Sequence, residues 1–127
     1  MNANPRMHVF SSLGPHGFHR IGYTEWGDPR NDHIVVCVHA LTRNSRDFDA
    51  LAAELSRDCR VVCMDVAGRG RSDWLTHKAD YGFAVYQSDA AALLARITAP
   101  RPETILDRTA RWLAPRRELT IDWVGTS

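Results

Sequence analysis

Serine, histidine and aspartate, the residue types of an acyl-transfer triad, each occur near the end of an apolar run. They are His39, Asp65 and Ser127, and the serine stands two residues after Gly125. In acyl transfer a serine attacks the carbonyl, a histidine takes its proton and a carboxylate orients the histidine. A serine after a strand is also an ordinary turn or helix-capping residue, so Gly-x-Ser alone carries little information.

The segment 67–73 is a second candidate for chemistry, because it contains Gly68-Arg-Gly-Arg-Ser72 after an apolar run. Glycine-rich loops that cradle phosphates end in Gly-Lys-Ser/Thr and open a helix at once. This segment does neither. It is predicted to be a turn that lines a ligand crevice at the end of a strand.

The cysteines and histidines do not show the spacing of metal ligands. Cys59 and Cys63 on one strand would lie ~13 Å apart at ~3.3 Å per residue, too far for a disulfide. Together with Cys37 they are expected to be reduced, buried thiols. His16 and His19 fall in a Gly/Pro-rich turn. The sequence therefore predicts no metal and no other cofactor.

Charge and hydropathy exclude several kinds of partner. The net charge is +1, with 16 basic and 15 acidic residues scattered along the chain, so neither nucleic acid nor an anionic membrane is indicated. Apolar stretches such as 34–38 are far shorter than the ~20 residues of a membrane span. The first seven residues do not resemble a secretory signal. We expect a cytoplasmic protein of one domain that binds a neutral small molecule.

The first half of the chain is predicted to form a hairpin, a strand, a helix and a second strand. The hairpin covers residues 7–26 around a turn at 13–17, and the β-branched run 33–39 is a buried strand. Helical spacing follows from a cap at Asn44 or Ser45, with an apolar face of Phe48, Leu51, Ala52 and Leu55. A strand at 60–66 then completes a parallel pair, which makes the class α/β.

The second half is predicted to contain two helices and a third parallel strand. The first helix stops before Pro100, and its apolar stripe consists of Tyr86, Ala90, Leu93, Leu94 and Ile97. A second helix spans about 102–115, between two prolines. The run 119–124 is a third, buried strand that leads into Gly125-Thr-Ser127.

Three motifs in fixed order resemble the α/β-hydrolase family. They are Val38-His-Ala-Leu-Thr, Asp65-Val-Ala-Gly-Arg-Gly-Arg-Ser and Trp123-Val-Gly-Thr-Ser, and the similarity covers the chain from Phe18 onward. The resemblance implies the N-terminal part of an α/β-hydrolase sheet, with an opening hairpin and then parallel strands with flanking helices. Residues 1–127 would be the N-terminal part of a single domain.

The resemblance also implies roles for individual residues. Ser127 matches the nucleophile of the family's G-x-S-x-G elbow, of which this sequence contains the first half. The backbone N–H of Leu41 corresponds to one oxyanion-hole donor. His39, Ala40 and Gly125 would shape the loops around it, and Ala40 stands where the family usually has glycine.

The family's order of catalytic residues excludes two other assignments. The triad acid and histidine follow the serine in the chain, so His39 and Asp65 are interpreted as loop-shaping groups. A serine at 127 also differs from the aspartate nucleophile of haloalkane dehalogenases and epoxide hydrolases. The implied substrates are a carboxylic ester, a lactone or a C–C bond next to a ketone.

Several parts of such a hydrolase are not found in residues 1–127: the helix after the elbow, the acid, the histidine and a cap. The chain alone is therefore expected to be inactive, with a C-terminal remainder of the hydrolase as continuation or second chain. Two alternatives remain open. One is a truncated, noncatalytic binding domain, and the other is an acyltransferase or perhydrolase on the same fold.

Overall fold

Five strands form one mixed sheet in the computed structural model, which describes residues 4–39, 44–99 and 119–125. The strands are β1 (Arg6–Gly14), β2 (Gly17–Trp26), β3 (His33–Val38), β4 (Arg60–Met64) and β5 (Thr120–Gly125). Their order across the sheet is β1-β2-β4-β3-β5. The helices are α1 (Asp49–Leu55) and α2 (Phe83–Thr98), with short 3-10 turns at Ser45–Phe48 and Lys78–Asp80.

The opening hairpin is confirmed. β1 and β2 are antiparallel, and Gly14 pairs with Gly17 across a two-residue turn of Pro15 and His16. Gly17 has φ +118°, a conformation that side-chain-bearing residues rarely adopt, so the turn requires glycine there. β2 then pairs antiparallel with β4 and joins the hairpin to the parallel part of the sheet.

The predicted parallel strands are also confirmed. β3 lies between β4 and β5 and is parallel to both. The register places Val38 beside Met64 on one side and beside Gly125 on the other. The carboxyl ends of these three strands therefore meet at one edge of the sheet, which we call the carboxyl edge.

The two faces of the sheet carry separate hydrophobic clusters, because β3 and β4 alternate their side chains between them. One cluster packs against α2 and includes Ile34, Val36, Val62, Met64, Leu93 and Ile97. The other packs against α1 and its preceding turn and includes Val35, Cys37, Phe48, Ala52, Val61 and Cys63. Helices thus cover both faces of the central strands, which explains their continuous apolar sequence.

All three cysteines are free and buried, as predicted. Cys37 and Cys63 are register partners on β3 and β4. Hydrogen bonding to Cys37 and burial raise the pKa of the Cys63 thiol above its usual range. The Cys63 side chain therefore remains protonated and acts as a small apolar group of the core.

The helix after β3 begins differently from its prediction. Asn44 does cap it, since its side chain accepts the backbone N–H of Arg46 at 2.9 Å, but the first turn is 3-10. Ser45, Phe48 and Ala52 are buried, whereas Leu51 is exposed. Successive residues of an α-helix are roughly 100° apart, so Leu51 lies away from the face centred on Ala52.

The predicted α2 helix is confirmed, but its buried face is rotated. Val85, Asp89, Leu93 and Ile97 are buried, and the expected stripe residues Tyr86, Ala90 and Leu94 are half-buried at its margin. Asp89 is 1% exposed. A hydrophobic pattern cannot place a carboxylate on the inner face, because its burial depends on partners in the hairpin.

Among the described residues the third strand is more exposed than the sequence predicts. β5 is parallel as expected, yet Trp123 is 52% exposed and no β5 side chain is fully buried. Among the strands that the structure describes, β5 pairs with β3 alone and lies at the sheet edge. The predicted helix at 102–115 lies outside the described residues. No helix within the described ranges has the length and apolar character to cross a bilayer.

Candidate active site

The carboxyl edge contains a topological switch point. The chain runs from β3 to β4 on one side and returns to β5 on the other side of β3. Loops that leave neighbouring strands in opposite directions open a crevice, and ligands of open α/β sheets bind there. The described loop residues after Val38 and Met64 therefore lie at the edge where such a crevice forms.

His39 links the loop after β3 to the loop after β4. Its Nε2 accepts the backbone N–H of Val66 at 2.9 Å, and the side chain is 4% exposed. An accepting Nε2 carries no proton, so the ring is neutral with its proton on Nδ1. This arrangement uses the lone pair that a general base would need and gives His39 a positioning role.

Asp65 makes a second link between the same two loops. Its Oδ1 accepts the backbone N–H of Ser45 at 2.7 Å, and its Oδ2 accepts that of Arg71 at 3.2 Å. The carboxylate is 3% exposed. Because both oxygens are occupied by main-chain donors, Asp65 fixes backbone and is not aimed at the crevice.

Ser72 ties the loop after β4 to the neighbouring strand β2. Its hydroxyl donates to the carbonyl of Asp65 at 2.6 Å and accepts the N–H of Gly22 at 2.9 Å. A Cβ on Gly22 would lie 2.9 Å from the Cβ of Arg71, so the close approach requires glycine in β2. The loop is thereby held against the sheet.

Two glycines allow the loop to turn back on itself. Gly68 has φ +81° and Gly70 has φ +51°. A Cβ on Gly70 would lie only 2.4 Å from the Asp65 carboxyl group. The loop leads into a 3-10 turn and α2 begins at Phe83, so this glycine pattern does not open a helix at once, as the sequence indicated.

The predicted nucleophile and oxyanion residues lie outside the described part of the chain. These are Ser127 and Leu41; Ala40, which was predicted to shape the loop, also lies outside it. Gly125 is described as the last residue of β5, beside Val38. A Cβ there would meet no heavy atom within 4 Å among the described residues, so space alone does not require glycine at this position.

A small cavity adjoins these loops. It measures about 180 Å³, and its wall includes Asn44, Ser45, Asp65, Gly70 and Arg71. Substrate pockets usually span ~300–1,000 Å³. This cavity is bordered by the loops and is smaller than a complete substrate pocket.

The links made by Ser45 and Ser72 were not predictable from the sequence. Serines before a helix and inside a Gly/Arg turn are ordinary capping and turn residues, and nothing in their spacing points to partners 20 and 50 residues away. One signal was available for Asp65, because a carboxylate directly after a buried strand must find donors.

A family model described as the alpha/beta hydrolase fold matches residues 33–104, which is more than half of the chain. The protein belongs to the α/β-hydrolase fold family, and the N-terminal sheet predicted from its motifs is confirmed. Over all 127 residues it is 42% identical to the 3-hydroxybutyrate-oligomer hydrolase of Cupriavidus necator.

Two solved structures are similar in fold. A provisionally assigned hydrolase from Rickettsia typhi aligns with 98% of the chain at 26% identity and a TM-score of 0.73. An alpha/beta hydrolase from Novosphingobium aromaticivorans aligns with 76% of it at 35% identity and a TM-score of 0.65. The chain covers 37%, 39% and 33% of the lengths of these three relatives, respectively.

Proposed function

We propose that this protein is a serine hydrolase that cleaves a carboxylic ester through an acyl-enzyme, with Ser127 as the nucleophile. One observation carries the proposal: the 42% identity to a 3-hydroxybutyrate-oligomer hydrolase extends over the whole of the chain. The end of β5 at the switch point, which residues 126 and 127 follow in the sequence, supports it.

In the proposed reaction the Ser127 hydroxyl attacks the ester carbonyl and loses its proton to a histidine. The tetrahedral intermediate then expels the alkoxide, which takes that proton, and water hydrolyses the acyl-serine by the same steps. The backbone N–H of Leu41 holds the developing oxyanion, and a fixed donor of this kind contributes ~3 kcal/mol.

His39 and Asp65 are positioning residues in this proposal. His39 fixes the start of the loop that carries Ala40 and Leu41, and Asp65 fixes its end at Ser45. A donor that is held before the reaction need not reorganise during it. The two hydrogen bonds therefore hold both ends of the segment in which the proposal places the oxyanion donor.

The proposed substrate is a short aliphatic oligoester of a hydroxy acid. This is the substrate named for the Cupriavidus necator relative. Each repeat of such an oligomer offers an ester carbonyl to the serine and releases an alcohol, so one site could cleave successive bonds. Lactones and C–C bonds next to a ketone fit the same acyl chemistry but are not suggested by that relative.

We further propose that residues 1–127 form the N-terminal part of a single hydrolase domain. The chain covers 37% of the length of the relative, and a triad also needs an acid and a histidine beyond Ser127. A C-terminal remainder would supply both, as continuation or as a second chain. The 127 residues alone are expected to lack activity.

The experiment uses a polypeptide that carries this sequence through the length of the relatives. It is incubated with a fluorophosphonate probe, and separately with linear 3-hydroxybutyrate dimers and trimers. We expect probe labelling at Ser127 and release of 3-hydroxybutyrate monomer. Ser127→Ala should abolish both, whereas Ser88→Ala, an exposed serine on α2, should leave both unchanged.

Three results separate the proposal from its alternatives. A folded protein that neither reacts with the probe nor releases monomer would contradict the proposal and favour a binding domain. Labelling at a serine other than 127 would remove the assigned nucleophile. Labelling at Ser127 with product formed only when an alcohol or peroxide is added would identify an acyltransferase or perhydrolase.

A further inference from the structure

Three potential metal ligands meet at the tip of the opening hairpin. His16 lies in the β1–β2 turn, and His77 and Asp80 lie at the 3-10 turn that precedes α2. His16 Nδ1 lies 2.7 Å from Asp80 Oδ2, and the two imidazole rings stack with centroids 3.6 Å apart. One ligand atom of each residue lies within 4.8 Å of the others. We call these three residues the His-His-Asp cluster.

We propose that the His-His-Asp cluster binds a divalent transition-metal ion of the zinc class. Two imidazoles and one carboxylate form a donor set suited to Zn²⁺, Ni²⁺ or Cu²⁺, while Mg²⁺ and Ca²⁺ prefer oxygen ligands alone. Within the described residues it is the one group of three such side chains close enough to share an ion. All six histidines of the sequence lie in the described ranges.

The surroundings of His77 fit a ligand role. Its Nδ1 lies 3.1 Å from the hydroxyl of Thr76. A histidine that binds a metal through one ring nitrogen almost always engages an oxygen with the other, which fixes its tautomer and orientation. The tautomer whose Nδ1 proton is donated to Thr76 leaves the lone pair of Nε2 free for an ion.

A metal ion can take the place of the proton that lies between His16 Nδ1 and Asp80 Oδ2. In the absence of metal a single proton bridges the nitrogen and the oxygen. Ligand atoms ~2.0–2.2 Å from one ion lie about 3.3–3.6 Å apart in a tetrahedral site, so the nitrogen and oxygen, now 2.7 Å apart, must separate by less than about 1 Å on binding. The stacked rings of His16 and His77 must rotate apart on binding so that a nitrogen lone pair of each points at the ion. The side chain of His16 is 49% exposed, which leaves space for this rotation.

The ion would connect two segments that the backbone does not join. A cavity of about 280 Å³ lies between the hairpin tip and segment 73–76, and its wall includes His16, Phe18, Trp74 and Asp80. Three protein ligands leave at least one coordination position for water or a small anion. Because β2 is antiparallel to β4, the hairpin tip extends past the carboxyl end of β4, and the ion would act as a clamp between that tip and the segment after β4.

The test measures Zn²⁺ binding to the full chain, produced without a histidine tag and stripped with a chelator. Competition against a chromophoric chelator gives the affinity, Co²⁺ gives a visible d–d spectrum, and a thermal scan gives the midpoint with and without Zn²⁺. We expect one Zn²⁺ per chain, a tetrahedral-type Co²⁺ spectrum and a midpoint that rises with Zn²⁺ because the ion binds only the folded state. Mg²⁺ should produce none of these effects.

Substitutions then identify the ligands. His16→Ala, His77→Ala and Asp80→Asn should each weaken Zn²⁺ binding more than tenfold, and Thr76→Val should weaken it about tenfold as a loss of the outer hydrogen bond. His8→Ala is the matched control, because His8 pairs with the single carboxylate of Glu25. The His8→Ala protein should bind Zn²⁺ with the affinity of the parent.

Two outcomes would overturn the proposal. One is the lack of Zn²⁺ binding below about 100 µM by the folded parent protein. The other is unchanged Zn²⁺ affinity in the His16→Ala/His77→Ala double variant. Because both imidazoles are exposed, this variant is expected to fold, and equal midpoints of the metal-free proteins check that it does.

Discussion

The carboxylate of Asp65 accepts the backbone N–H of Ser45 at 2.7 Å, across twenty residues of sequence. The residue that follows β4 thus fixes the chain beyond β3, where Leu41 is the proposed oxyanion donor. A second bond, from the N–H of Arg71, occupies the other oxygen. The geometry of the proposed site therefore depends on a carboxylate whose two oxygens both accept backbone N–H groups.

Asp65→Ala should lower the free energy of unfolding by about 2–4 kcal/mol, because it leaves buried N–H donors without acceptors. In the active hydrolase the same change should lower kcat for ester hydrolysis more than it raises KM, since it displaces an oxyanion donor. Urea unfolding and steady-state kinetics measure the two effects. Asp58→Ala, at an exposed aspartate, should change stability by less than about 0.5 kcal/mol. An Asp65→Ala protein with parental stability would contradict this role.

Gly70→Ala should destabilise the protein by more than about 2 kcal/mol. The residue has φ +51°, and the new Cβ would lie 2.4 Å from the Asp65 carboxyl group. Gly82→Ala is a matched control, because Gly82 has an extended backbone and a Cβ there would meet nothing within 4 Å. Urea unfolding of both variants provides the measurement. Equal losses of unfolding free energy in Gly70→Ala and Gly82→Ala would show that the Gly70 loop adapts to the new side chain. A smaller loss for Gly70→Ala in the Asp65→Ala background would show that the clash is with the Asp65 carboxyl group.

The buried Glu25 should make stability depend on pH in the acid range. Burial alone would raise the pKa of Glu25, but the guanidinium groups of Arg60, 2.6 Å away, and Arg6 outweigh it and hold that pKa below its usual value. The ionised form is favoured in the folded state. Its contribution is thus fully present above the unfolded pKa of ~4.3 and is lost as the pH falls through the depressed folded value.

Unfolding free energies between pH 7 and pH 3 test this dependence. Glu25→Gln should lower stability at pH 7 by about 3 kcal/mol, because it leaves the buried Arg60 without its charge partner. It should also flatten the decline below pH 4.5. Glu54→Gln, at an exposed residue, should keep the parental pH profile. A parental profile in Glu25→Gln would show that other carboxylates control the acid range.

The sheet was predictable from sequence because its strands contain nearly continuous β-branched runs, such as Ile34 to Val38. A strand that is covered on both faces needs apolar residues at nearly every position. β5 shows the limit of this logic: its sequence is typical of a buried strand, whereas the burial of a strand also depends on what lies beside it. The position of a strand in the sheet depends on which strands pair with it. The composition of a single strand does not determine that pairing.

The candidate site was predictable as a meeting of strand ends, and its individual contacts were not. Motifs at the ends of β3, β4 and β5 pointed to one edge because parallel strands end together. The contacts of Asp65 with Ser45 and of Ser72 with Gly22 join segments 20 and 50 residues apart, and no local pattern encodes them. The His-His-Asp cluster was hidden for the same reason, because 61 residues separate His16 from His77.

The buried carboxylate of Asp89 holds α2 against the hairpin. Its Oδ1 accepts the hydroxyl of Ser12 at 2.6 Å and lies 2.8 Å from Nε2 of His19, and all three side chains are buried. Asp89→Ala should therefore lower the free energy of unfolding by about 3–5 kcal/mol, because it leaves buried polar groups without a partner. Urea unfolding is the measurement.

The Ser12→Ala/His19→Leu/Asp89→Leu triple variant separates two explanations for that loss. If the loss arises from stranded polar partners, removing all three polar groups together should restore most of the stability, since apolar replacements of a buried network are often neutral. If the hydrogen bonds themselves supply the attachment of α2, the triple variant should be at least as unstable as Asp89→Ala. The first outcome is expected, because the surrounding cluster already contains Phe10, Ile21 and Leu93 and can accept further apolar side chains.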